Sequence, residues 1–401
     1  MTSELILTPI EIAAWSCGAL ALVAAIWLLT AYRARIAAVG AEIRRQTARP
    51  FNPAPKPEAP PVSVVIAAGD HAEALESLIH KIFEQEFASD FEVIVVNDGK
   101  SDDIKDVVTR IKHLEHRSNL RITFIPANLH NVSRRKLALT LGVKAATYPV
   151  VIALTEESRL YSTQWLTRMA EPFADPQTEV VIGSALPATK FDTGVGRRYR
   201  SFTHGHDAAI WLSSAMRGKP WRAHRANMAF RTDAFFRVGG MGGALNLRDG
   251  DDDIFISKIA GGDNTRVVCA AQAAVRYSHP TSRREFRQGR PARMFSGRSL
   301  AAPRLFFGLS SAAAWILLLA SAAAITLGSM AGDWVIAAWT GALLLASVII
   351  LSLTWRKTLK ALRCRPALTG VFPMMLRRPL TNAIHRLRSR HNRKDYYTWA
   401  S

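Results

Sequence analysis

Asp251, Asp252 and Asp253 stand side by side in the stretch RDGDDDIFI, in a chain whose formal net charge is +20. Crowded carboxylates repel one another. The repulsion raises the pKa of one member, which makes it a better acceptor for a proton. The competing use of such residues is a helix start. Aspartate is a good N-cap, and acids in a first turn complement the helix dipole, each for roughly 0.3–1 kcal/mol. The stretch SDDIKD (residues 101–106) is an internal control, in which two acids behind Ser101 as a cap do only that. Three adjacent acids exceed what capping requires, and Gly250 in front of them allows a tight backbone turn.

Acids of this kind work only where a rigid scaffold holds them. PVSVVIAAG (61–69) and FEVIVVNDG (91–99) are short, apolar and rich in β-branched residues, as buried strands are. LRITFIPAN (120–128) and PVVIAL (149–154) supply a third and fourth strand, and helical spacing fills the segments 71–85, 101–114 and 133–146 between them. Strands that are apolar throughout and alternate with helices predict a parallel sheet covered on both faces. Ligands of such sheets bind beyond the carboxyl ends of the strands, here residues 67–70, 97–99 and 155–158. Residues 178–188 predict another strand, and residues 221–243 a strand, a helix and loops. HGH places His204 and His206 on one strand face without a third ligand, and His279 follows in YSHP.

Residues 12–32 contain no charge and suffice to cross roughly 30 Å of hydrocarbon at about 1.5 Å per residue. Glu4 and Glu11, rather than Lys or Arg, precede the run, which favours an anchor over a signal peptide. Residues 305–332 and 334–355 are two further apolar runs punctuated by Gly328, Gly332 and Asp333, a helical hairpin with a very short loop. All basic flanks fall on one side if the middle of the chain is cytoplasmic, so a multi-pass protein of the inner membrane is expected. Residues 356–401 hold 12 Lys and Arg against one acid, Asp395. Beside a hairpin, such a tail lies at the anionic cytoplasmic leaflet, with membrane lipids as partners. No nucleic-acid fold signature accompanies the charge, so nucleic acid is not an expected partner. Cys17, Cys269 and Cys364 form neither a zinc spacing nor a disulfide framework, which fits a reducing compartment. The expected division is an anchor over 1–34, a basic, Pro-rich linker over 35–60, a soluble domain over 61–300, the hairpin over 305–355 and the tail over 356–401.

In order and spacing, PVSVVIAAGD, FEVIVVNDGKSDD, SRRKLALTLGVKAATYPVVIALTEES, ANMAFRTDAFFRVGG and GDDDIF resemble glycosyltransferase family 2 over roughly residues 61–300. The resemblance implies an α/β GT-A fold, a Rossmann-like nucleotide-diphospho-sugar transferase domain. It implies transfer of a hexose from a nucleotide-diphosphate sugar, with inversion, to a lipid-linked or cell-surface glycan, in polysaccharide biosynthesis at the cell envelope. It implies Asp252 as general base, with Asp251 beside it to orient the acceptor or the base, and Asp253 at a helix start. Asp98 would contact the nucleotide base, with Asn97 standing where aspartate is common. Ala67 and Ala68 would meet the nucleotide through their backbone. One of Arg134, Arg135 and Lys136 would approach the pyrophosphate, Arg135 being the candidate. Asn227, Gln288 and Arg293 fall on the acceptor or donor side.

Two departures stand out. The family's metal motif after the fourth strand reads ALTEES here, and either register, Thr155/Glu157 or Glu156/Ser158, leaves one carboxylate. Glu156 and Glu157 are the candidates to hold a divalent metal, manganese or magnesium. Three outcomes are open: an altered metal site, weak metal dependence, or lost catalysis. The last defines the alternative reading, a nucleotide-sugar-binding scaffold in glycan assembly. In FRQGRPARMFSG, Gln288 matches a processivity motif, but Pro291 stands where arginine is expected and no tryptophan follows. Arg290 or Arg293 could substitute. With only three spans, this argues against a synthase that threads its own polymer.

Overall fold

The computed structural model describes residues 8–52, 58–98, 102–126, 129, 131–188, 196–247, 249–250, 252–277, 304–364, 370–391 and 397–398. The chain divides into two compact units, Met1–Ala41 with Pro303–Ala383, and Glu42–Ala302 with Ile384–Ser401. The first helix runs far longer than the expected anchor. Thr8 and Glu11 form a capping box at its start, α1 covers Pro9–Trp27, a π-helical turn covers Leu28–Tyr32, and α2 continues over Arg33–Ala48. The expected linker from residue 35 is therefore helical for its first half. Alanines and a Glu42–Arg45 pair at 2.5 Å favour the helix, and no proline interrupts it before Pro50. Its last turn belongs to the second unit. There Gln46 donates to Val267 O at 2.9 Å and accepts from Cys269 N at 2.8 Å.

The second unit is built on a sheet of seven strands. These are β1 (Val62–Ala68), β2 (Phe91–Asn97), β3 (Leu120–Phe124), β4 (Val150–Thr155), β6 (Val180–Gly183), β8 (Met228–Arg231) and β9 (Thr265–Val268), in the order β3-β2-β1-β4-β8-β6-β9. All neighbours are parallel except that β8 runs antiparallel to β4 and β6. The short β5 (Ser158–Arg159), β10 (Val275–Tyr277) and β7 (Ala185–Pro187) make a second sheet. The single strand expected over 178–188 is thus two, broken at Ser184 so that each half joins a different sheet.

The β1 side chains alternate between two helical layers, which is why the strand is apolar throughout. Val62, Val64, Ile66 and Ala68 join the core under α3 (Ala72–Phe83) and α4 (Asp102–Leu114). Those helices bury Leu75, Leu78, Ile79 and Ile82, and Ile104, Val107, Val108 and Ile111, each an i, i+3, i+4, i+7 stripe. On the other face, α5 (Arg134–Ala145) lies so close that a Cβ on Gly142 would sit 2.2 Å from Val65 Cγ1. Later come α6 (Trp165–Ala170), α7 (Arg197–Ala215), α8 (Thr232–Arg237) and α9 (Ile254–Ile259). His204 and His206 lie within α7, not on a strand. Two residues apart on a helix they point to different sides, about 200° apart, so they share no ligand position. His206 is buried, with its ring 5.6 Å from that of Phe202.

In the first unit, α10 (Arg304–Ala331) and α11 (Trp334–Ala361) form the expected hairpin, turning at Gly332 with φ +75°. Asp333 caps α11 by accepting from Val335 N and Ile336 N, and accepts also from Trp15 Nε1 at 3.0 Å. Trp27 packs on Phe306 and donates to Ser310 Oγ, and Gly18 leaves room for Ile336. The Pro9–Ala48, Leu305–Ala331 and Trp334–Ala361 helices are each long and apolar enough to cross a membrane. The basic tail is largely helical among its described residues: α11 carries on to Ala361, and α12 spans Val371–His391.

The contact of Gly142 with β1 yields a direct expectation. Gly142→Ala gains helix propensity but overpacks Val65, so the protein should lose about 1–3 kcal/mol of stability. A lowered Tm in detergent would show it, and an unchanged or raised Tm would contradict the close approach.

Candidate active site

The parallel register aligns the strand ends. Ala67 of β1 stands opposite Val96 of β2 and Thr155 of β4. Ala67 O accepts from Glu156 N at 3.2 Å and Ala68 O from Asp98 N at 3.0 Å, so the chain leaves all three strands at one edge. Asn97 is buried, with its carbonyl accepting from Ile125 N. Asp98 lies further out and meets Arg134, Nε to Oδ2 at 3.3 Å, and the same guanidinium donates to Asp98 O.

Glu156 folds back over the first turn after β1. Its carboxylate accepts from Gly69 N at 2.6 Å, Asp70 N at 3.3 Å and His71 Nδ1 at 2.9 Å. Glu157 Oε1 is 3.9 Å from the same nitrogen. His71, Glu156 and Glu157 each offer one ligand atom, and these atoms lie within 4.8 Å of one another, a set able to hold a metal ion. The hydrogen bond to Glu156 is the largest influence on His71 and raises its pKa. Sequence reasoning missed His71, because its partners lie 85 and 86 residues away and only the β1–β4 pairing brings them together.

The antiparallel β8 returns the chain to this same edge, since Met228 at its start pairs with Ala153 near the end of β4. Residues 222–227 therefore border the site. Arg222 lies 3.3 Å from Asp252, Nη2 to Oδ2, and Ala223 N donates to Asp252 O at 3.0 Å. Asp252 is buried and Arg222 partly so. Burial alone would push the Asp252 pKa up, but Arg222, Arg225 and His224 outweigh it and hold the carboxyl well below its usual range. The expectation that crowding raises this carboxylate is thus overturned for Asp252: neighbouring cations, which the stretch RAHRAN carries in plain view, decide the sign. Asp253 sits at the N-cap of α9 and accepts from Ile254 N at 2.7 Å, the helix-start role foreseen for it. Asp251, Gln288, Arg293 and His279 lie outside the described residues.

The basic residues at the start of α5 have separate partners. Arg135 pairs with Asp249 at 3.1 Å, on the acid loop. Lys136 is fully buried and donates to Ala244 O, Leu247 O and Asp249 O at 2.7, 2.8 and 2.8 Å. Asn227, expected on the acceptor or donor side, is a structural strut instead. It is fully buried, accepts from Trp165 Nε1 at 3.0 Å, and donates to Ser184 O and Ala273 O at 2.9 and 3.0 Å. Its amide uses both donors between the two sheets and has none left for a ligand.

A doubly covered, mainly parallel sheet with a carboxylate–imidazole cluster beyond its first strands and a buried acid beside an antiparallel return strand is the arrangement of a GT-A-like α/β domain. Residues 63–241 match the family model for glycosyl transferase family 2. Among solved structures, the chain is similar in fold to the mannosyltransferase PcManGT from Pyrobaculum calidifontis, in complex with GDP-Man and Mn2+. The two are 21% identical with a TM-score of 0.51, over 94% of this chain and 99% of that one. A glucosyl-3-phosphoglycerate synthase from Mycobacterium tuberculosis matches 59% of this chain and 78% of its own, at 14% identity and a TM-score of 0.40. No curated protein matches the sequence.

The strut role of Asn227 is testable. Asn227→Leu keeps the volume but orphans Trp165 Nε1 and two buried carbonyls, at about 1–3 kcal/mol for each unsatisfied group. Thermal unfolding should show a clearly lowered Tm, while the folded fraction binds nucleotide as before. Weakened nucleotide binding at an unchanged Tm would return Asn227 to the ligand site.

Proposed function

We propose that this chain is a membrane-anchored, inverting glycosyltransferase that moves a hexose from a nucleotide-diphosphate sugar to a lipid-linked or cell-surface glycan acceptor. The observation that carries the reading is the shared edge: Ala67, Ala68, Asp98, His71, Glu156 and Glu157 at the ends of three parallel strands, and Asp252 held beside the start of β8. The nucleotide would lie along the ends of β1 and β2, its base by Asp98. Inversion needs an acceptor hydroxyl that attacks the anomeric carbon as the bond to the diphosphate breaks, and the hydroxyl proton must go to a carboxylate. Asp252 fills that role. Its lowered pKa keeps it ionised at every working pH, which makes it an available though weak base.

Two carboxylates and an imidazole suit manganese better than magnesium, which favours oxygen alone. A divalent cation held by His71, Glu156 and Glu157 would supply neutralisation of the departing diphosphate. His71 Nδ1, now bonded to Glu156, would have to lose its proton to serve as a ligand.

Membrane attachment rests on three spanning helices and on α12. There Leu380, Ile384 and Leu387, at i, i+4 and i+7, are exposed, and Arg377 and Arg388 border the stripe. The basic flanks support a catalytic domain on the cytoplasmic side of the inner membrane.

Two measurements decide the reading. A panel of nucleotide sugars, with and without manganese, should reveal a donor whose turnover collapses about 10²–10⁴-fold in Asp252→Asn while nucleotide binding persists. Full activity in that variant would remove Asp252 as base. Binding without turnover of any donor would favour the scaffold reading that the TEES sequence raises. Manganese affinity, titrated from about pH 5.5 to 8.5, should fall as His71 takes up its proton. Because its pKa is raised, that loss begins above the ordinary value of about 6.5. His71→Gln should flatten the profile, and an unchanged profile in that variant would exclude His71 as a ligand.

A further inference from the structure

The loop that leads to Asp252 has little regular structure, yet five of its described carbonyls, those of 244–247 and 249, are taken. Ala244, Leu247 and Asp249 give theirs to Lys136 Nζ, and Leu245 O accepts from Ser133 N at 2.7 Å. Asn246 O is bound by a residue far downstream: Thr398 N donates to it at 3.0 Å. Tyr397 makes an antiparallel bridge with Leu247 next door. The Thr398 hydroxyl lies 2.5 Å from Asn131 O and 3.3 Å from Asn246 O. Asn131 has φ +59° and immediately precedes the turn into α5, whose first residue, Arg134, holds Asp98. Thr398 thus links the segment that leads to the nucleotide side with the segment that leads to the acid.

We propose that Tyr397 and Thr398 form a strap that orders the 244–252 loop, with Thr398 as a positioning residue for Asp252. The α5 contacts hold the loop from one side through side chains and Ser133 N. The strap holds the middle of the loop, at Asn246 and Leu247, through backbone pairing and one hydroxyl. A base displaced by even 1 Å can lose about 10²-fold in rate. A loop fastened on one side only should open locally more often than one fastened on both. Tyr397 and Thr398 bond to Asn131, Asn246 and Leu247, outside the ends of β1, β2 and β4, so loss of these bonds should act chiefly on the chemical step.

The kinetic part rests on the glycosyltransferase reading, and the structural part does not. The test uses the full chain in detergent, a chain ended after His391, Thr398→Val and Thr398→Ser. Ending the chain after His391 should lower kcat by about 10-fold or more with donor KM within about twofold, and should abolish slow amide exchange over 244–249. Thr398→Val, which keeps the backbone pairing, should give a smaller loss in kcat, and Thr398→Ser should restore it. Wild-type exchange over 244–249 in the shortened chain would overturn the strap, as would wild-type kcat where donor turnover is measurable. A raised KM at constant kcat would likewise overturn it. If the intact chain turns over no donor, the glycosyltransferase reading fails, and the exchange measurement alone decides the strap.

Discussion

A buried ammonium is tolerable only when oxygen surrounds it, and Lys136 is fully buried. Its three donors meet three carbonyls, from Ala244, Leu247 and Asp249, so charge, loop and helix form one unit. The first turn of α5 is thereby tied to the loop that delivers Asp252. Arg134, two residues earlier, meets Asp98, and Arg135 meets Asp249. One helical turn thus connects the strand-end edge at Asp98 to the acid, and the geometry of either depends on how α5 sits. That position depends in turn on Gly142, which lets the helix come down on Val65 and Val96.

The sheet was legible because its strands bury both faces. A run such as VSVVIAA, apolar at nearly every position, has no other stable use at that length, and β1, β2 and β4 lie where such runs lie. The strand-end rule then located Ala67, Ala68, Asn97, Asp98, Glu156 and Glu157 at one edge without any coordinates. Asp253 was legible for a local reason, since capping depends only on the next few residues. The hairpin was legible as two apolar runs with Gly332 and Asp333 between them.

Features made by distant contacts were not legible. Arg134, Arg135 and Lys136 read alike as a basic run, yet one is sealed under a loop more than 100 residues away and the others pair with different acids. The pKa of Asp252 was misjudged because only its sequence neighbours were weighed, and Arg222 arrives through the antiparallel return of β8. HGH sits in a helix, α7, that is buried on nearly every side from Arg200 to Ala215, so it carries no one-faced stripe by which to be read. The prolines from Pro50 onward mark where the helix has ended, but the expected linker start at residue 35 passed over the helix formers that carry α2 on to Ala48.

The order of the chain has a consequence for biogenesis. Tyr397 and Thr398 clasp a domain whose sheet is complete by residue 277, but they are synthesised only after both helices of the hairpin. A nascent chain that has folded its sheet still lacks this clasp while the hairpin helices are being synthesised. The acid loop would therefore settle late, only once the residues that follow α12 have been made.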